Sequence, residues 1–215
     1  MALEENTLVI FACDNGPWLI FGDHGGSAGP LREGKFTTFE GGQRVPCLMK
    51  WPQTIPEGTT CSEIASTLDL LPTIASITNS QLPTNKIDGH NIVKLIKGDK
   101  NAKSPTEAFF YYRGWNLEAV RVDNWKLHLP HKYNAVVEAE DGNVHGRKNI
   151  KSEIGLSLFD LSKDIGEQNN VVDEYPKIVT RLMEEIIRMK KDLGDSEESG
   201  SAKRDCGWQK APSIL

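Results

Sequence analysis

Thr7-Leu8-Val9-Ile10-Phe11-Ala12-Cys13 runs directly into Asp14-Asn15-Gly16-Pro17, and the reading of that junction decides the fold. The first seven residues are apolar or β-branched without alternation, the pattern of a strand covered on both faces inside a parallel sheet. Asp, Asn, Gly and Pro then break the strand abruptly. Open α/β sheets hold their ligands just beyond the carboxyl ends of such strands, where Asp14 and Asn15 fall. A strand buried on both faces needs parallel neighbours, and nothing before Thr7 can supply them. The front sheet is therefore expected to be incomplete, the chain to be the C-terminal part of a larger protein, and its exposed apolar surface to favour self-association.

Outward from the junction, residues 14–42 carry eight glycines (Gly16, Gly22, Gly25, Gly26, Gly29, Gly34, Gly41 and Gly42) and almost no periodicity. A long aperiodic loop of this kind is usually functional or disordered. Residues 45–51 read as a second short strand closed by Pro52. The spacing predicts a helix over 70–77, N-capped by Asp69, with Pro72 in its first turn and Leu70, Leu71, Ile74 and Ile77 as its buried stripe. Short strands are predicted over 109–112, 118–122, 125–129 and 156–161, with Asp123-Asn124 as a tight hairpin turn between the middle two. Ile178, Leu182, Ile186, Met189 and Leu193 recur at helical spacing, so an amphipathic helix over 175–193 is expected to cover that sheet. The polar, Gly/Ser-rich stretch after it reads as a mobile tail. The fold class is α/β at the front and antiparallel α+β at the back, divided as 1–105, 106–193 and a flexible 194–215.

Composition narrows the function. With 25 basic and 30 acidic side chains among 215 residues, the net charge of −5 argues against a nucleic-acid partner. The longest apolar run is far short of a membrane span, and the first residues show no secretory leader. Cys13, Cys47, Cys61 and Cys206 are widely spaced, which indicates neither a zinc site nor a disulfide framework.

Several side chains can carry chemistry. Asp14 and Asn15 offer adjacent hard oxygens suited to Ca²⁺ or Mg²⁺, or they form an ordinary Asx turn. Two ligands fall well below the roughly six to eight that Ca²⁺ takes. Lys35, beside Gly34 on a turn-rich segment, can deliver an ammonium to an oxyanion or remain a solvated surface lysine. Arg32 and Arg44 can meet an anion or ion-pair with the nearby Glu33 and Glu40, and ion pairing is expected. His24 either lines a pocket or occupies a turn.

The motif Cys13-Asp14-Asn15-Gly16-Pro17-Trp18, followed by Gly26-Ser27-Ala28-Gly29-Pro30-Leu31-Arg32-Glu33-Gly34-Lys35 and Thr37-Thr38-Phe39-Glu40-Gly41-Gly42-Gln43-Arg44-Val45-Pro46, closely resembles the second half of the arylsulfatase family. The likeness continues through Asp69-Leu70-Leu71-Pro72-Thr73, Ile87-Asp88-Gly89, Tyr111-Tyr112-Arg113-Gly114, Trp125-Lys126-Leu127-His128-Leu129 and Leu158-Phe159-Asp160-Leu161. It covers almost the whole chain in order. The resemblance implies a partial alkaline-phosphatase-like sulfatase core and a sulfuric-ester hydrolase. It implies Ca²⁺ held in part by Asp14 and Asn15, and a sulfate ester gripped by Lys35, with His24 a further substrate-binding candidate. Intact relatives are typically lysosomal, secreted or periplasmic.

The family's nucleophile, a cysteine oxidised to formylglycine within Cys-x-Pro/Ala-x-Arg, has no counterpart at any of the four cysteines. Its first pair of metal-binding aspartates and its histidine-bearing middle segments are missing too. The chain is expected to be inactive alone. The alternative is a non-catalytic module that binds sulfated glycans or a partner protein. A phosphatase or phosphodiesterase sharing the superfamily core fits the Gly34-Lys35 block less well.

Overall fold

The structure, a computed structural model, describes residues 3–139 and 146–204. Its centre is a four-stranded antiparallel sheet in the order β3 (Phe109–Arg113), β4 (Asn116–Val122), β5 (Trp125–His128) and β8 (Ser157–Asp160). All four are elements that the sequence predicts. Val122 pairs with Trp125 across the two-residue turn, where Asp123 takes φ of 54°. Asp tolerates that left-handed backbone better than most residues.

The two faces of this sheet are covered differently. Helix α4 (Pro176–Asp192) lies on one face and buries Leu182 and Ile186 against Leu117, Val120, Leu127 and Leu158. Each of those two helix side chains contributes about 1.5–3 kcal/mol by leaving water. Glu118 is an extra residue in β4, since Tyr111 pairs with Ala119 while Tyr112 pairs with Leu117. The bulge lets Leu117 and Val120 both face α4 and turns Glu118 to the opposite side. On that opposite side Phe39, which precedes the one-turn helix α1 (Glu40–Gln43), packs with Tyr133, Ala135, Ile154, Phe159 and Leu161. The Gly-rich front loop and the back sheet thus share one core.

Several expectations need correction. The first strand, β1 (Val9–Ala12), is neither parallel nor buried on both faces. It pairs antiparallel with β2 (Cys47–Lys50) in a two-stranded ribbon, and Val9, Phe11 and Leu48 are exposed. An apolar run reports how much cover a strand needs, not which neighbour supplies it. The long hairpin β6 (His131–Glu138) and β7 (Arg147–Ile154) was not anticipated, because Arg147-Lys148-Asn149-Ile150-Lys151-Ser152-Glu153-Ile154 is too polar to read as a strand.

Asp69 is not the side-chain cap of α2 (Leu70–Thr78). It belongs to a preceding 3-10 turn, Thr67–Asp69, where the Leu68 N–H donates to Ser66 Oγ at 3.0 Å and the Ser66 N–H to Asp69 Oδ2 at 2.8 Å. Its other oxygen accepts the His90 N–H at 2.8 Å. Nor is the expected stripe buried: Pro72, Thr73 and Ala75 face inward, while Leu71 and Ile74 are exposed. Beyond α2, the short helix α3 (Val93–Ile96) buries Leu95 and Ile96 with Ile92.

The stretch after α4, read from composition as a mobile tail, folds back on the helix. Asp195 pairs with Lys190 at 2.6 Å, the Tyr112 hydroxyl donates to the Gly194 carbonyl at 2.8 Å, and Arg204 reaches Asp88. The remainder of that expected tail, from 205 on, lies outside the described residues. No helix among the described residues is long and apolar enough to cross a membrane.

Candidate active site

Two backbone segments meet where β1 ends. The Gly16 N–H donates to the Gly42 carbonyl at 3.1 Å, and the Lys35 N–H donates to the Pro17 carbonyl at 2.9 Å. So close an approach leaves no room for side chains. A Cβ on Gly16 would stand 1.9 Å from the Gly41 oxygen, and one on Gly34 would stand 2.4 Å from the Pro17 oxygen. The glycines that make the loop aperiodic are what allow Asp14-Asn15 and Lys35 to come together. Glu33 and Phe36, which flank the Gly34-Lys35 pair, have φ of 57° and 74°. Left-handed backbone at two non-glycine residues is unfavourable and persists only where the surroundings over-determine it.

The meeting point is a cleft of about 590 Å³ lined by Asp14, Asn15, Trp18, Lys35 and Arg44 among others. Asp14 is exposed, and Asn15 and Lys35 are half-buried. The Lys35 ammonium sits 5.0 Å from the centre of the Trp18 ring and 5.4 Å from that of Phe36. Aromatic faces hold a cation while leaving its donors free. His24 lies on the 3-10 segment Leu19–Gly25 and is not among the residues lining this cleft.

The donor set suits a hard cation in part. Asp14 and Asn15 bring a carboxylate and an amide oxygen to the lining, which contains no imidazole; the one soft donor there is the Cys13 thiol. No group of three or more His, Cys, Asp or Glu among the described residues is arranged to hold an ion. These two residues therefore fit as a portion of an oxygen-ligated site.

Sequence reasoning missed a buried charge network that reaches the segment carrying Lys35 through Glu40. Lys126, Glu40, Glu167 and His128 are all buried to within 1% of full exclusion from solvent. Lys126 Nζ is 3.0 Å from both Glu40 Oε1 and Glu167 Oε1, and His128 Nε2 is 2.9 Å from the same Glu167 oxygen. Glu40 also accepts the Tyr111 hydroxyl at 2.7 Å and pairs with Arg121 at 3.2 Å. Arg44, expected to pair with Glu40, instead lines the cleft. Arg32, expected to pair with Glu33, donates to the Glu167 carbonyl at 2.7 Å and to Tyr133 Oη at 3.1 Å, and stacks on Phe39 at 4.2 Å.

These partners set the charge states. Burial alone would raise the Glu167 carboxyl, but Lys126 and His128 outweigh it and hold it at about 2. Glu40 is lowered for the same reason, burial being overcome by Lys126 and the Tyr111 hydroxyl. Burial pushes His128 down to about 4, against the opposing pull of Glu167. A neutral imidazole facing a carboxylate carries its proton on Nε2. Its Nδ1 is then an acceptor, and it is buried without a hydrogen-bond partner. The signal for this network was present in Trp125-Lys126-Leu127-His128, where Lys126 and His128 occupy the face opposite Leu127. Alternation marks that face as solvent-facing unless a second layer covers it.

Comparison with known proteins shows the family. Residues 34–192 match the family model described as N-sulphoglucosamine sulphohydrolase, C-terminal. Human arylsulfatase A is 39% identical over 178 residues, which cover 80% of this chain and 34% of the human protein. N-acetylgalactosamine-6-sulfatase of Canis lupus familiaris is 33% identical over 208 residues, covering 90% of this chain and 39% of its own. Among solved structures, the PsFucS1 sulfatase from Pseudoalteromonas sp. superposes with a TM-score of 0.65 at 26% identity, over 86% of this chain and 38% of that one. The chain thus spans somewhat over a third of the length of the relatives it matches.

Proposed function

The chain belongs to the sulfatase family, and from that premise we propose that it supplies the cation-binding and sulfate-gripping portion of a sulfuric-ester hydrolase site and is inactive alone. The observation that carries this reading is the shared cleft of Asp14, Asn15 and Lys35. Asp14 and Asn15 would hold part of the coordination shell of a divalent cation, calcium by family resemblance. When bound, such a cation neutralises oxyanion charge next to a sulfate ester. Lys35 supplies the complementary contact: a compact ammonium with three donors, held over Trp18 and aimed at a sulfate oxygen. Charge that develops as the S–O bond breaks is met by a group already in place. His24 is proposed to bind the alcohol side of the ester from the segment that borders the cleft.

None of the four cysteines stands in the family's nucleophile motif. On this reading the attacking group lies outside residues 1–215.

Titration of the isotopically labelled chain with inorganic sulfate, followed by amide chemical shifts, tests the reading. Saturable shifts are expected at Gly34, Lys35 and Gly16, and Lys35→Ala should abolish them. Shifts that persist unchanged in Lys35→Ala would overturn it.

A further inference from the structure

Lys35 sits on a segment with little regular structure, fixed locally by its N–H on the Pro17 carbonyl, so the placement of its ammonium depends also on how the flanks of that segment are held. Both flanks end on one residue of the back half of the chain. On the upstream side, Arg32 Nη1 donates to the Glu167 carbonyl at 2.7 Å. On the downstream side, the Glu40 N–H donates to Glu167 Oε2 at 2.7 Å. We infer that Glu167 is a positioning residue for Lys35, a clamp that closes the Lys35 loop at both ends; this rests on the reading that Lys35 grips an oxyanion.

Three further observations fit a clamp better than a filler of space. Glu167 is fully buried and has φ of 52°, a left-handed backbone that favours glycine. A residue without a side chain would be easier there locally, but only a carboxylate can accept from Glu40 while also meeting Lys126 and His128. Second, its two oxygens divide the work. Oε1 faces Lys126 and His128 at 3.0 and 2.9 Å, and Oε2 is left for the loop. Third, Arg32 stacks on Phe39 and its carbonyl accepts the Gly41 N–H at 2.9 Å, so the two flanks also touch each other and the loop closes into a ring that carries Lys35. Arg32 and Glu167 are both absent from the cleft lining, so neither is placed to touch the ligand.

A displaced ammonium loses its hold steeply with distance. The test is sulfate affinity of the full chain, read from amide shifts at Gly34 and Lys35. Glu167→Gln keeps the shape and removes the charge that Lys126 and His128 orient. Arg32→Met keeps the stack on Phe39 and cuts only the upstream tie, so it decides the matter should the first variant not fold. Leu182→Ala, in the α4 core, serves as a destabilised control far from the loop. Each clamp variant should weaken sulfate binding about tenfold, equivalent to ~1.4 kcal/mol, with the control unchanged at a comparable loss of melting temperature. Wild-type affinity in the clamp variants, or an equal loss in the control, would overturn the inference. Sulfate binding that ignores Lys35→Ala would instead sink the reading on which it rests.

Discussion

Lys126 Nζ lies 3.0 Å from Glu167 Oε1 with neither side chain reaching solvent. Removing one member of such a pair is far worse than removing both, because the survivor keeps its charge in a medium that cannot solvate it. Lys126→Met strands Glu167 and Glu40 together, and the loss should be about 3–5 kcal/mol. Urea unfolding followed by circular dichroism measures it; a loss below about 1 kcal/mol would show that water reaches the pair.

Stability should fall steadily from neutral to acid pH. His128 is near 4 in the folded chain against an ordinary 6.5, so the unfolded chain takes up its proton first and stability drops as pH falls from 6.5 to about 4. Glu167, near 2 against an ordinary 4.5, contributes stability above 4.5 that is lost as pH falls toward about 2. The two windows adjoin with the same sign. His128→Gln, which keeps an N–H donor for Glu167 but not the imidazolium charge, should flatten the upper part of a melting-temperature profile and make the lower part shallower, since Lys126 then holds Glu167 down with less help. An unaltered profile would contradict the assignment.

Gly16→Ala puts a methyl group 1.9 Å from the Gly41 carbonyl oxygen. Backbone has to move, at a cost of about 1–3 kcal/mol, and the movement separates Asp14 from Lys35. Thermal unfolding and sulfate titration of this variant should both worsen. Gly29→Ala serves as a comparison: an added Cβ there meets nothing within 4 Å, although φ of 59° makes the residue strained. It should lose stability while keeping more of the sulfate affinity.

Calcium should bind weakly, since two oxygen ligands are a small part of the roughly six to eight it takes. Calorimetry is expected to give a dissociation constant in the millimolar range or weaker, and Asp14→Asn to abolish the heat. Submicromolar binding would mean that further ligands are already assembled.

Val9, Phe11 and Leu48 expose 53%, 63% and 68% of their surface on a two-stranded ribbon. Ribbons of this kind associate through open edges and apolar faces. Sedimentation velocity should show concentration-dependent association that Phe11→Lys with Leu48→Lys suppresses. A clean monomer at high concentration for the unmodified chain would count against it.

What the sequence made legible follows from which side chains face a single environment. β3, β4, β5, β8 and α4 carry strong apolar periodicity because α4 covers the sheet directly. β7 has no such mark: of its eight residues only Ile154 is buried. Leu71 and Ile74 have the apolar character and helical spacing of core residues, yet among the described residues nothing covers them. Asp14, Asn15 and Lys35 are legible as candidates because they are particular chemical types on short motifs, and the structure brings all three to one cleft. Glu167 is not legible. Its role depends on contacts with Arg32 and Glu40, far away in sequence, and a lone glutamate on a polar turn looks like any solvated residue.

The open ribbon at the front also couples the surface of the molecule to its cleft. Asp14 lies two residues beyond the end of β1, so whatever packs beside that ribbon stiffens the backbone that carries Asp14 and Asn15, and occupancy of the ribbon should be legible as a change in the cleft without any direct contact there.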